Sequence, residues 1–256
     1  MKKTKVYLLD GGSICVDGLN FFYIQGPSGP YRFPVYSVLI DHEEGLFLFD
    51  TGFDGKLTSS WPKGPEPIMQ TERQSLIGQL DLVGLKPANI NIVMNSHYHF
   101  DHVGGNKLCT CATTICHKHE LEAIANPHPA MEAPGYRDFS FLEASGDYKP
   151  KFEVVTGDID VAKGVKLFET PGHTAGHYSL MVELSDRRPM IFTGDACYAK
   201  RSLEIMAIPA LHVDPRKAYS SMERLRDLAQ EHDAELFFAH DKESFPNYLK
   251  APYYYS

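Results

Sequence analysis

The chain has 256 residues, 43% hydrophobic and 23% charged, with a formal net charge of −8. This composition suits a globular enzyme that buries its own core, and it excludes a nucleic-acid partner, whose phosphates require a basic face. No run approaches the ~20 apolar residues of a membrane span, the apolar stretch after Lys2 and Lys3 is too short for a secretory leader, and five cysteines without framework spacing suit a reducing compartment; a cytoplasmic protein is expected, with residues 1–256 as one domain.

In chain order, residues 5–9 form a strand candidate closed by a turn at Gly11-Gly12. The Gly- and Pro-bearing residues 26–34 read as a loop. Residues 35–40 and 46–49 are β-rich and flank a turn at 41–45, a hairpin that ends at Asp50-Thr51-Gly52. The first helix is expected from Thr71. There Thr71 and Gln74 fit a capping box, Leu76, Ile77 and Leu80 share a face, and Gly84 supplies a stop. Residues 91–95 form a strand that runs into a histidine-rich segment. A helix is expected over 117–126, and an irregular lid over 126–151. Strands follow at 165–169, 177–183 and 190–192. Asp214 caps and Pro215 opens a helix to about His232, with Ala218, Met222, Leu225 and Leu228 on its buried face. Residues 235–239 form the last strand and deliver His240. That order suits two packed sheets with helices outside.

The densest chemical signal is His97-Tyr98-His99-Phe100-Asp101-His102. In extended backbone His97 and His99 point the same way. Imidazole and carboxylate crowded together suit zinc and similar first-row ions. The bland alternative is a polar loop with chance histidines. Three later strand ends each offer another ligand type: His173 after a Pro-Gly turn, Asp195, and His240. Strand ends opening into loops are where catalytic groups are usually carried. Cys109 and Cys111, with no second pair in register, read as ordinary thiols. His117, His119, His128 and His212 read as surface or loop residues.

Taken in order, His97, His99, Asp101, His102, His173, Asp195 and His240 match the pattern of the metallo-β-lactamase superfamily. The chain resembles that superfamily over nearly its whole length, from the Asp50-Thr51-Gly52 turn onward. The resemblance implies an α/β fold, the four-layer αβ/βα sandwich, with a two-metal site at its open edge. It implies that His97, His99 and His173 hold one zinc ion, that Asp101, His102 and His240 hold the other, and that Asp195 bridges the two. Asp50 is expected to hydrogen-bond a metal-binding histidine from behind, and His177 to support the site from outside the ligand set.

Within the superfamily the chain resembles the lactonases. Tyr198, three residues after Asp195, stands where N-acyl-homoserine lactonases carry a tyrosine facing the substrate carbonyl. The segments 4–13, 32–40, 95–107 and 171–180 are also similar to 4-pyridoxolactonases, which act in vitamin B6 degradation. The small-molecule substrate implied is a lactone, N-acyl-homoserine lactone ahead of 4-pyridoxolactone. Two cations sharing a water would generate a bridging hydroxide near neutral pH. Tyr198 would then hold the oxyanion, and Asp101 would protonate the leaving alkoxide. Residues 26–32 and 126–151 are expected to close the pocket. Phe21, Phe22, Tyr31, Phe33, Tyr136, Phe139 and Phe141 are candidate apolar walls, and Lys200 and Arg201 candidate polar partners. A homodimer is left open. A glyoxalase II-type thioesterase would share the ligands, and a non-catalytic zinc module would need a closed four-coordinate site.

Overall fold

The computed structural model describes residues 2–54, 68–126 and 150–256. Strand β1 (Lys5–Asp17) runs straight through the expected Gly11-Gly12 turn. Its register with its neighbour shifts at that point, and Gly12 has φ +98°. The glycines therefore make a bulge rather than a reversal. After the short helix α1 (Gly18–Phe21), strand β2 (Pro30–His42) takes in the second half of the expected 26–34 loop. The extended β1 explains this, because it pairs with β2 as far as Asp17 opposite Pro30.

The hairpin from β2 to β3 (Gly45–Phe49) has the expected form. Strand β4 (Ile68–Met69) pairs with β1. The Thr71–Gln74 box is present, with Gln74 Oε1 accepting from the Thr71 amide at 3.0 Å. Only one 3-10 turn follows it, and helix α2 (Leu76–Asp81) starts afresh with Ser75 as its cap. That new start leaves Leu76 and Leu80 buried but Ile77 54% exposed, contrary to expectation. Then come β5 (Ile92–Met94), α3 (Phe100–Val103), β6 (Thr113–His117) and α4 (Lys118–Ala125). Most of the expected 126–151 lid lies outside the described residues.

The second half holds β7 (Lys151–Val155), β8 (Ile159–Ala162), β9 (Val165–Glu169), β10 (Tyr178–Val182) and β11 (Met190–Phe192). It closes with α5 (Lys200–Ile205), α6 (Pro215–Glu231) and β12 (Glu235–Phe237). The sheets have the orders β4-β1-β2-β3-β5-β6-β7 and β12-β11-β10-β9-β8.

Alternation along the strands builds the layers. Val38, Ile40, Phe47 and Phe49 of the first sheet meet Leu167, Leu180, Val182 and Phe192 of the second in one buried cluster. The intervening Leu39 and Leu48 turn outward and pack with Leu76 and Leu80 of α2. On the far side, Phe168, Met181 and Ile191 pack with Ala218, Met222, Leu225 and Leu228 of α6. The result is helix, sheet, sheet, helix, the αβ/βα sandwich.

Candidate metal centre

The strand β5 ends at Met94, the chain bends at Ser96, and His99, in extended backbone, caps α3 at Phe100. His97 and His99 lie on one side, with His97 Nε2 2.9 Å from His99 Nδ1. His173, on the β9–β10 loop, brings its Nε2 to 3.2 Å from the former and 2.9 Å from the latter. The one turn of α3 presents Asp101 and His102, both buried. His240 follows β12 and reaches the same place, its Nε2 3.7 Å from Asp101 Oδ2.

Asp195 lies between the two sets with its oxygens divided. Oδ2 is 3.6 Å from His97 Nε2 and 3.2 Å from His173 Nε2. Oδ1 is 3.2 Å from His102 Nε2 and 3.0 Å from His240 Nε2. The side chains thus fall into two groups able to hold an ion each: His97, His99, His173 and Asp195, and Asp101, His102 and His240.

The outward-facing nitrogens are tied down, which sets the tautomers. His173 Nδ1 donates to the Leu211 carbonyl at 2.6 Å, and His240 Nδ1 to the Pro34 carbonyl at 2.9 Å. Each Nε2 therefore turns a lone pair inward. Asp50 Oδ2 is 2.7 Å from His102 Nδ1 and also accepts from the Ser96 hydroxyl at 2.7 Å. His177 is not in either group. Its Nε2 accepts from the Asp195 amide at 2.9 Å, and its Nδ1 donates to Thr170 Oγ1 at 2.8 Å. It orients the aspartate from the main chain.

Electrostatics and hydrogen bonding both fit a pair of divalent ions. His102 Nε2 and Asp195 Oδ1 are buried and 3.2 Å apart without a well-directed hydrogen bond between them, a costly state unless something else satisfies them. Burial, with neighbouring imidazoles, holds His97 and His99 well below the ordinary histidine value, so both stay neutral imidazoles, the form that ligates metal. Burial also disfavours charge on His102, but Asp195, Asp101 and Asp50 outweigh it and raise its value. Burial pushes Asp101 up, whereas at Asp195 burial is overcome by His102, His240 and His97 and the carboxyl is held well below its usual range. The site asks for positive charge and supplies neutral nitrogen and carboxylate donors, the donor chemistry of zinc-like ions.

Tyr198 is buried beside the centre, its ring 5.2 Å from that of His240 and 5.8 Å from that of His173. It belongs to an aromatic cluster with Phe21, Phe22, Tyr31, Phe33 and Phe53. Of the expected pocket residues, Phe22, Tyr31 and Phe33 are thus brought to the site. Lys200 and Arg201 are not: they open α5 on its exposed side, and Arg201 pairs with Glu204 at 3.4 Å. Tyr136, Phe139, Phe141 and His128 lie outside the described residues. His117, expected at the surface, is buried, with Nε2 2.6 Å from Glu169. His212 is half-buried against Tyr23 and His119 is exposed. Cys109 is buried and Cys111 exposed, both free thiols.

Sequence reasoning missed two buried carboxylates around the site. Asp241, next to His240, accepts from the Lys200 amide at 3.1 Å and the Ser244 hydroxyl at 2.6 Å. Glu120 accepts from the Tyr98 and Gly176 amides. The Glu120 partners and the Lys200 amide are main-chain groups distant in sequence, which no local pattern signals.

A sequence profile of the metallo-beta-lactamase superfamily matches residues 30–240. The chain is 30% identical to the N-acyl homoserine lactonase AiiA of Bacillus thuringiensis subsp. kurstaki, over 97% of this chain and all of that one. It is 29% identical to the N-acyl homoserine lactonase AttM of Rhizobium radiobacter over the full length of both. A solved structure of an N-acyl homoserine lactone hydrolase, with the product N-hexanoyl-L-homoserine bound at its catalytic metal center, superposes with TM-score 0.84 at 28% identity, covering both chains completely.

Proposed function

Because the chain belongs to the metallo-beta-lactamase superfamily, we propose that it is a dinuclear zinc lactonase that opens the ring of N-acyl-homoserine lactones, the activity named for its full-length relatives. The observation that carries this reading is the division of Asp195, one oxygen toward His97 and His173 and the other toward His102 and His240. A carboxylate so placed serves two ions rather than one structural ion in a closed site. No helix among the described residues is long and apolar enough to cross a membrane.

His97, His99 and His173 would hold one ion, Asp101, His102 and His240 the other, with Asp195 shared. Bound divalent ions supply Lewis acidity and a hydroxide nucleophile near neutral pH. The chain's own groups do the rest. Tyr198 stays a phenol, since burial and the charges of Asp195 and Asp101 oppose its ionisation. It can therefore donate a hydrogen bond to the oxygen that gains negative charge when the ring carbonyl is attacked. Asp101, beside His102 and His240 in the second group, is placed to carry the proton to the ring oxygen as the C–O bond breaks. The product is an open-chain hydroxy acid. Phe21, Phe22, Tyr31 and Phe33 form an apolar wall beside Tyr198 that matches an acyl chain. The exposure of Lys200 and Arg201 gives a pyridine-ring lactone no polar partner from that quarter.

The test is a parallel hydrolysis assay of zinc-loaded protein with short- and long-chain acyl-homoserine lactones, 4-pyridoxolactone and a thioester. Acyl-homoserine lactones should turn over fastest. No turnover of any of them would overturn the substrate assignment.

A further inference from the structure

The two histidine-bearing segments of the first group meet at a carboxylate outside both metal groups. Glu120 sits in the first turn of α4 and is 1% exposed. Its Oε2 accepts from the Tyr98 amide, between His97 and His99, at 3.2 Å. Its Oε1 accepts from the Gly176 amide, on the His173 loop, at 2.7 Å. A buried carboxyl group is costly unless its oxygens are engaged, and here each oxygen accepts from a main-chain amide. The same helix adds a second hold. His117, its N-cap, lies so close under Gly176 that a side chain there would come within 2.4 Å of His117 Nδ1.

We infer that Glu120 is a positioning residue for one of the two metal sites, clamping the His97–His99 segment and the His173 loop against α4 so that their three inward nitrogens converge. The second site is anchored elsewhere: His102 rests on Asp50 and His240 on the Pro34 carbonyl. Loss of the clamp should therefore act on one ion. This inference rests on the two-metal reading, and the experiment separates the two.

Glu120→Gln keeps the shape but turns an amide NH2 against one of the two N–H donors. Metal-free wild type and variant are titrated with zinc in competition with a chromophoric chelator, and the histidine ring signals are followed by NMR. Wild type should take two ions. In the variant one ion should bind about 10–100-fold more weakly, the cost typical of removing a partner behind a ligand. The signals of His97, His99 and His173 should lag, while those of His102 and His240 titrate as before. Equal binding of both ions, or equal weakening of both, overturns the clamp and leaves two-metal binding standing. Fewer than two ions on wild type sinks the two-metal reading and the clamp with it. Should Glu120→Gln fail to fold, amide exchange on the metal-free wild type decides: the Tyr98 and Gly176 amides should be protected, and fast exchange at both overturns the inference.

Discussion

Burial and the nearby carboxylates of Asp195 and Asp101 keep the Tyr198 proton in place well past the ordinary phenol value. Tyr198→Phe should lower kcat by roughly 10- to 1000-fold while the bound-metal stoichiometry stays unchanged. Because the phenol does not titrate in the working range, the deficit should be the same at neutral and mildly alkaline pH. A deficit that vanishes as pH rises would mean that the phenolate takes part. His117 gives a second prediction. Burial holds it below its ordinary value, against the opposing pull of Glu169, with His119 and Glu122 also facing it. The folded chain binds that proton less readily than the unfolded chain does. The contribution is thus complete above about pH 6.5 and is lost as pH falls below it. His117→Asn retains a capping side chain and should flatten the decline of the denaturant midpoint below that pH. An unchanged slope would refute the assignment. At this scale the clustered residues were legible, because His97 to His102 are adjacent in sequence. Glu120 and the burial of His117 were not, since their partners are main-chain groups or acids far along the chain, and neither was the tie of Asp241 to the distant Lys200 amide.

Among the described glycines, an added Cβ would come nearest to its surroundings at Gly172. It has φ +131°, and a side chain there would meet the Ala218 amide of α6 at 2.0 Å. Its carbonyl accepts from the Val213 and Asp214 amides at 2.8 and 3.1 Å. The same few atoms thus seat α6 and shape the loop that carries His173. Gly172→Ala combines overpacking with a strained backbone and should cost on the order of 3 kcal/mol, read as a lower urea midpoint. A shift below about 1 kcal/mol would mean that α6 gives way easily. Helix α6 was readable from its period and its Asp-Pro opening. Strand β1 was not, because a bulge and a turn both use paired glycines, and only the partner strand decides between them. The edge strand β7 alternates over only four residues, Lys151 to Val154, too short a run to read, and its edge position leaves Val154 51% exposed.

Across the whole molecule, the ligands come from both sheets: β5 and α3 supply one part, and the ends of β9, β11 and β12 the other. Ions bound there stabilise only the folded form. Saturating zinc should therefore be worth about 4 kcal/mol per ion at a thousandfold excess over Kd, or on the order of 10 °C in Tm for a chain of this size. A chelator should lower the melting temperature by that much, and an unchanged melt would argue against metal in the native state. The sandwich itself was legible from alternating strands and one amphipathic helix, and the facing of the two sheets was not, because it depends on contacts between halves. The division of Asp195 also has a consequence for synthesis. Counting outward from the ribosome, the group of His97, His99, His173 and Asp195 is whole some 45 residues before His240 emerges to complete the other. Translation then imposes a loading order. Chains stalled with Asp195 clear of the exit tunnel and His240 still inside it should capture one zinc per nascent polypeptide, and released full-length chains two, as isotope counting on purified stalled complexes would reveal; two ions on the stalled chain would contradict that order.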